Sequence, residues 1–130
     1  MSHQKVVFSG DDGLYHWKLF LANPGSKNQG TWHDVIWSDD INVGMEHRGP
    51  LPYTESKSKG FIRRWKIAEI DESHAHAVDA TCAATRTPKY EVADKDKNCQ
   101  TWIYDVVHGL ISQGILTNDA IKQLNKVPKR

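Results

Sequence analysis

The fold is decided by residues 98–111, which read NCQTWIYDVVHGLI. Within this stretch apolar residues recur in adjacent pairs every four positions, the spacing that lines one face of an α-helix. These residues are Trp102, Ile103, Val106, Val107, Leu110 and Ile111. Asn98 precedes the pattern with a side chain suited to cap the first turn, and Gln113-Gly114 marks the end. The stretch therefore predicts a long helix that is buried along one side.

Cys99 falls at the first position of this predicted helix. There the unpaired backbone amides and the positive end of the helix dipole favour the thiolate, which lowers the pKa expected for a cysteine. The alternative is a packed, inert thiol, the ordinary state of a buried cysteine that has no base beside it. Cys99 is therefore a candidate nucleophile whose chemistry depends on finding a base.

Length and composition limit the classes of function. The chain has 130 residues, and we expect a single domain over residues 1–130. Its 17 Lys and Arg residues nearly balance its 16 Asp and Glu residues, and without a basic face no nucleic-acid partner is expected. No apolar run approaches the roughly twenty residues of a membrane span, and the first residues lack the apolar core of a signal peptide. We therefore expect a cytoplasmic protein whose two cysteines, Cys82 and Cys99, are free thiols.

Three segments have the composition of β-strands, namely residues 14–21, 31–37 and 61–70. Residues 6–8 indicate a further short strand or a covering arm. Residues 38–59 contain several Gly and Pro turn formers and predict a long loop, a kind of segment that often carries function.

Helices are predicted over residues 73–85 and, as a last short helix, after the Thr117-Asn118-Asp119 cap. The predicted fold class is α+β, with a small antiparallel sheet packed on the helix that begins at Cys99.

Two histidines lie on adjacent predicted strands. His16 lies on the first strand, on the face of Lys18 and Phe20 and opposite Trp17. His33 lies on the second strand, which a hairpin joins to the first. Either imidazole is a candidate base for Cys99, whereas the bland interpretations are a satisfied strand histidine at position 16 and an exposed hairpin residue at position 33.

The order of these motifs resembles that of the circularly permuted papain-like cysteine enzymes. His16-Trp17, a histidine one strand later at position 33, and Asn98-Cys99 opening a helix are similar to the lecithin retinol acyltransferase-like branch. An early histidine followed by Asn-Cys, and a helix that ends near Gly and Ile as in residues 113–115, are similar to the PPPDE-type deubiquitinating and deSUMOylating peptidases. In both branches the histidine precedes the cysteine in sequence, as His16 precedes Cys99 here.

The resemblance implies a permuted papain-like domain with Cys99, His16 and His33 as its catalytic residues. Cys99 would attack a carbonyl as a thiolate, His16 would accept its proton, and His33 would orient the His16 ring. The Cys99 backbone N–H would face the developing oxyanion. The implied activity is hydrolysis or acyl transfer at an amide, ester or isopeptide bond of a peptide, protein or small acyl substrate, without a metal or cofactor.

Other functions stay open on the sequence alone. A catalytically silent binding module of the same fold would use the long loop and the tryptophans to hold a ligand. A small biosynthetic enzyme would use acid–base chemistry at His16 and His33 without a covalent intermediate. His74, His76 and Asp79 have metal-ligand chemistry, but residues two apart on a helix point to different faces, so we expect His76 and Asp79 to form a solvated surface pair.

Overall fold

The computed structural model describes residues 4–11, 17–22, 29–54 and 63–127. It contains five strands and three helices in these ranges. The strands are β1 (Gln4–Asp11), β2 (Trp17–Ala22), β3 (Gln29–Trp37), β4 (Met45–Thr54) and β5 (Arg63–Asp71). The helices are α1 (Ala75–Ala84), α2 (Cys99–Ser112) and α3 (Asp119–Leu124), and short 3₁₀ turns precede α1 and α2.

The strands form one antiparallel sheet in the order β4-β3-β2-β1-β5. The predicted α+β class, with an antiparallel sheet and helices, is therefore confirmed. The sheet is larger than the three strands expected, because residues 6–8 belong to a full strand and because β4 lies within the segment predicted as a loop. The loop prediction for residues 38–59 was wrong over residues 45–54.

Helix α2 packs its apolar stripe against one face of the sheet, as its periodicity predicted. Its buried side chains include Trp102, Val106 and Leu110, and they join a core that β2 supplies with Trp17 and Leu19. Fully burying a side chain of this size contributes roughly 1.5–3 kcal/mol relative to leaving it exposed. Packing on the sheet therefore fixes the position of α2, and with it the position of the side chains in its first turn.

Strand β3 is an inner strand, because β4 covers the edge that a three-strand sheet would have left open. His33 pairs with Leu19 of β2, and directly opposed residues share one face of a sheet. His47 of β4 pairs with Val35 of β3 in the same way. Since Leu19 and Val35 both belong to the core, the two histidines face the helices.

Candidate functional site

Helix α2 begins at Cys99 with a complete capping box. The Asn98 side chain accepts the N–H groups of Gln100 and Thr101 at 2.9 and 3.3 Å, and the Thr101 hydroxyl accepts the Asn98 N–H at 3.3 Å. The Trp102 N–H donates to the Asn98 carbonyl at 3.1 Å. Within the described part of the chain, the Cys99 N–H is the amide of this first turn that has no acceptor.

Cys99 itself is nearly buried, with 8% of its surface exposed, and it lies at the edge of the core. Its sulfur has no hydrogen-bond partner among the described residues, so the structure brings no imidazole of that set into bonding contact with it. The other thiol, Cys82 on α1, is fully buried. Burial, and secondarily the charge of Asp79, raise the pKa of the Cys82 thiol far above its usual range. Both thiols are free.

The segment that leads into α2 is fixed by the buried carboxylate of Asp94. This carboxylate accepts hydrogen bonds from the Lys89 backbone N–H and pairs with Arg86, both at 2.9 Å, and with Lys97 at 3.2 Å. The Arg86 guanidinium, followed by the Lys89 amide, holds the pKa of Asp94 well below its usual range. The start of α2 therefore depends on an anchored connection rather than on a free loop.

The same connection is tied to the end of the sheet. The Met45 N–H donates to the Pro88 carbonyl at 2.7 Å, and the Tyr90 hydroxyl donates to the Ser38 carbonyl at 2.7 Å. The Tyr90 ring also packs on Trp37, with ring centroids 4.7 Å apart. These contacts set the position of α2 relative to β3 and β4.

His33 is the centre of a hydrogen-bonded chain of three side chains, and only 1% of it is exposed. Its Nε2 lies 2.7 Å from Oδ1 of Asp79 on α1, and its Nδ1 lies 2.9 Å from Nε2 of His47 on β4. We call His47, His33 and Asp79 the relay. Both ring nitrogens of His33 are thus engaged, which leaves neither free to orient a further imidazole.

The chemistry of the carboxylate fixes the protonation pattern of the neutral relay. A carboxylate only accepts, so His33 Nε2 carries the hydrogen donated to Asp79. The Nδ1 of a neutral His33 then accepts, so His47 Nε2 carries the hydrogen between the rings. The ring planes differ by 13° and the centroids are 5.2 Å apart, so the rings meet edge to edge in nearly one plane. This places each lone pair in line with a donor and leaves the free lone pair at His47 Nδ1.

A β-bulge shapes β4 opposite His33. Trp32 pairs with Leu51 and Asp34 with Arg48, so two β4 residues, at positions 49 and 50, oppose the single residue His33. Gly49 has a φ of +121° and precedes a cis peptide bond. A Cβ there would lie 2.5 Å from the Trp32 carbonyl oxygen and 2.8 Å from His33 Nδ1. Only glycine leaves room for the ring nitrogen that bonds His47.

Behind the relay, an ion pair clasps β3 to β4. Asp34 is fully buried, and Arg48 donates to its two oxygens from Nε and Nη2 at 2.8 and 2.6 Å. Asp34 and Arg48 directly follow His33 and His47, so they project from the opposite face of the sheet. The Arg48 guanidinium also lies 5.3 Å from the centroid of the Trp32 ring. The clasp therefore fixes the separation of the two imidazoles from behind.

Trp102 connects the relay with α2. Its ring packs on His47, with centroids 5.5 Å apart and planes tilted by 33°. Its Nε1 is buried and lacks a hydrogen-bond partner among the described residues. Cys99 lies three positions earlier on α2, and residues so spaced are neighbours on one helix face. Cys99 and His47 thus both border the Trp102 side chain.

The structure bears on the predicted site residues unequally. Cys99 lies where the sequence placed it, at the start of the helix, and His33 lies on the predicted strand. The interpretation of His33 as an exposed hairpin residue was wrong, because β4 covers it. His16 lies outside the described residues. Asp79 bonds His33, so its predicted pairing with His76 on the surface was also wrong.

His47 and Asp79 were missed by sequence reasoning as members of a site. A partial signal exists in residues 45–48, where Met45 and His47 alternate with the charged Glu46 and Arg48 as in a half-buried strand. For Asp79 no local signal exists, since its partner His33 is 46 residues away.

None of the helices in the described ranges is both long and apolar enough to span a bilayer. The fold and the site define an α+β protein in which a half-buried His–His–Asp chain, with His33 buried at its centre, lies beside a capped helix that begins with cysteine. The chain belongs to DUF6540, a family of unknown function, whose family model matches residues 5–117. No curated protein and no solved structure matches the chain.

Proposed function

We propose that this protein is a cysteine-dependent hydrolase or acyl transferase of the permuted papain-like kind, acting on an amide, ester or isopeptide bond. The observation that carries the proposal is the first turn of α2. Its cap satisfies the amides of Gln100 and Thr101 and leaves the Cys99 N–H without an acceptor in the described part of the chain. A thiol and an unused N–H on one residue supply the nucleophile and one oxyanion donor for attack on a carbonyl, and a base completes the set.

The reaction follows from these groups. The Cys99 thiolate attacks the carbonyl carbon, and the carbonyl oxygen gains charge next to the Cys99 N–H. His16 accepts the thiol proton in this scheme, as the motif resemblance implies. The C–S bond replaces the bond to the leaving group, and water or another acceptor then releases the acyl group. Two free thiols also fit a reducing compartment such as the cytoplasm.

A burst experiment tests the covalent step. The full chain is mixed with p-nitrophenyl acetate, and we expect a rapid release of p-nitrophenolate near one equivalent, with an acetyl group on Cys99 by mass spectrometry. Cys99→Ala removes the burst, and the matched control Cys82→Ala retains it. Acetylation spread over surface lysines, or a burst that survives Cys99→Ala, would contradict the proposal.

The relay favours a second candidate function, acid–base catalysis without a covalent intermediate. His47, His33 and Asp79 form a complete proton path that does not include the thiol. In that case Cys99→Ser retains turnover and His33→Gln loses it, whereas the thiol enzyme loses turnover in Cys99→Ser. A pure binding module is unaffected by Cys99→Ala in its ligand affinity.

A further inference from the structure

His47 is the open end of the relay. Its Nε2 bonds His33, and its Nδ1 has no partner among the described residues. Trp102 Nε1 is the one side-chain nitrogen or oxygen in that part of the chain that is both buried and unpaired. The Nδ1 of His47 therefore keeps contact with solvent, although the rest of the ring is partly buried.

The groups around His47 lower its pKa below the ordinary value of a histidine. Burial and the neighbouring His33 lower the pKa of His47, while Asp34 and Asp79 raise it. From α2, the indole of Trp102 packs on the His47 ring, and Cys99 lies about one helical turn before Trp102. A second proton would place two adjacent cations in a buried site, whereas a single one has the Asp79 carboxylate to balance it.

We propose that His47 is the catalytic residue that takes a proton from the attacking water and returns it to the departing Cys99 sulfur, through its Nδ1. His33 and Asp79 are positioning residues that carry the resulting charge inward. This inference rests on the proposed function, because it assigns the proton traffic of the same acyl-transfer reaction. It adds a site residue from β4 and one from α1 to those that the motif resemblance implies.

In acylation, the thiol proton that His16 accepts passes to the leaving group, and in the hydrolysis of the acyl group the relay handles the proton of the attacking water. As water attacks the acyl carbon, an O–H bond breaks and an N–H bond forms at His47 Nδ1. The hydrogen on His47 Nε2 then moves to His33 Nδ1, so the imidazolium lies on His33 against the Asp79 carboxylate. The reverse sequence returns that proton from His47 Nδ1 to the departing Cys99 sulfur, which takes the electron pair of the broken C–S bond.

The tautomers of the unmodified full chain provide the first test. Imidazole nitrogens labelled with ¹⁵N report directly which nitrogen carries hydrogen. At a pH where both rings are neutral, we expect hydrogen on Nε2 of His33 and of His47, and a lone pair on His47 Nδ1. Hydrogen on His47 Nδ1 together with a lone pair on His33 Nε2 would overturn the relay without any variant.

The second test is the titration of His47 in Asp79→Asn. The asparagine oxygen still accepts from His33, so the hydrogen bond remains while the charge is lost. A carboxylate in direct contact shifts a pKa by about 1–3 units, and across one ring we expect the His47 pKa to fall by less than that. The control is Asp119→Asn, which changes an exposed carboxylate on α3. Helix α3 packs on β5, the edge strand of the sheet farthest from β4. An equal shift in both variants would overturn the relay.

The two proposals fail separately. If Cys99 gives no burst but Asp79→Asn lowers the His47 pKa, the thiol reaction is refuted, and with it the assignment of His47 to that reaction, while the relay stands. If Cys99 is acetylated and the His47 pKa is the same in Asp79→Asn as in wild type, the relay is refuted and the thiol enzyme stands.

Discussion

Removing the Arg48 guanidinium tests whether the clasp behind the relay stabilises the site. Asp34 is fully buried, so Arg48→Met leaves its carboxylate without its bidentate partner. Breaking a buried ion pair from one side costs roughly 3–5 kcal/mol. Arg48 is 37% exposed and Asp34 keeps at least one further interaction, so we expect the lower end, a loss of about 3 kcal/mol in the free energy of unfolding.

The pH dependence of this loss has a definite sign. Removing the guanidinium raises the pKa of the Asp34 carboxyl in the folded variant relative to wild type, because the buried carboxylate loses the cation beside it. The loss in Arg48→Met is therefore complete at pH 7 and shrinks as the pH falls through the folded pKa, because Asp34 is then neutral. Urea unfolding of wild type and variant at pH 7 and pH 5 measures the difference at each pH.

The double variant Asp34→Asn/Arg48→Met is the matched control. Its neutral amide needs no counter-ion, so we expect it to be more stable at pH 7 than Arg48→Met alone. If Arg48→Met lowers the free energy of unfolding by less than about 1 kcal/mol, the Asp34–Arg48 pair contributes no more than an exposed surface ion pair. That result, or a loss that does not change with pH, would refute the reasoning.

Three further outcomes follow from other parts of the structure. Gly49→Ala places a Cβ against His33 Nδ1 in a backbone region that costs about 1–3 kcal/mol for other residues, so we expect a lower unfolding midpoint and a displaced His33 ring signal in NMR spectra. Asp94, with its pKa depressed by its partners, stabilises the fold above the unfolded pKa and less as the pH falls; Asp94→Asn should therefore flatten the acid limb of the stability curve measured between pH 6 and pH 2. Iodoacetamide near neutral pH should alkylate Cys99, at the edge of the core, faster than the fully buried Cys82, and equal rates by peptide mass mapping would contradict an activated Cys99 thiol.

The parts of the fold that local sequence determines were the parts that could be predicted. The period of the apolar residues along α2 and the side chain of Asn98 act within a few residues, so the helix and its first residue followed from the sequence. Strand β4 did not, because its glycine and two prolines have the composition of a loop. On an edge strand with a bulge, those residues are tolerated, since half of the backbone groups need no partner in the sheet.

The site was predictable only in part, for the same reason. His33 was a candidate because a short motif includes it, but its burial depends on β4 lying beside β3. Its two partners are separated from it by 14 and 46 residues, and no periodicity connects positions so far apart. Their association exists only once the sheet and α1 have packed.

The packing of the Trp102 indole on the His47 ring has a practical consequence. A protonated imidazole quenches an adjacent indole more strongly than a neutral one, so the fluorescence of Trp102 should report the charge of His47 without any label. Subtracting the emission of Trp102→Phe from that of the wild type isolates this signal from the other four tryptophans. Trp102 is thus an optical probe in contact with His47, the residue whose titration is in question. Stopped-flow mixing with an acyl donor could follow proton movement at His47 in real time.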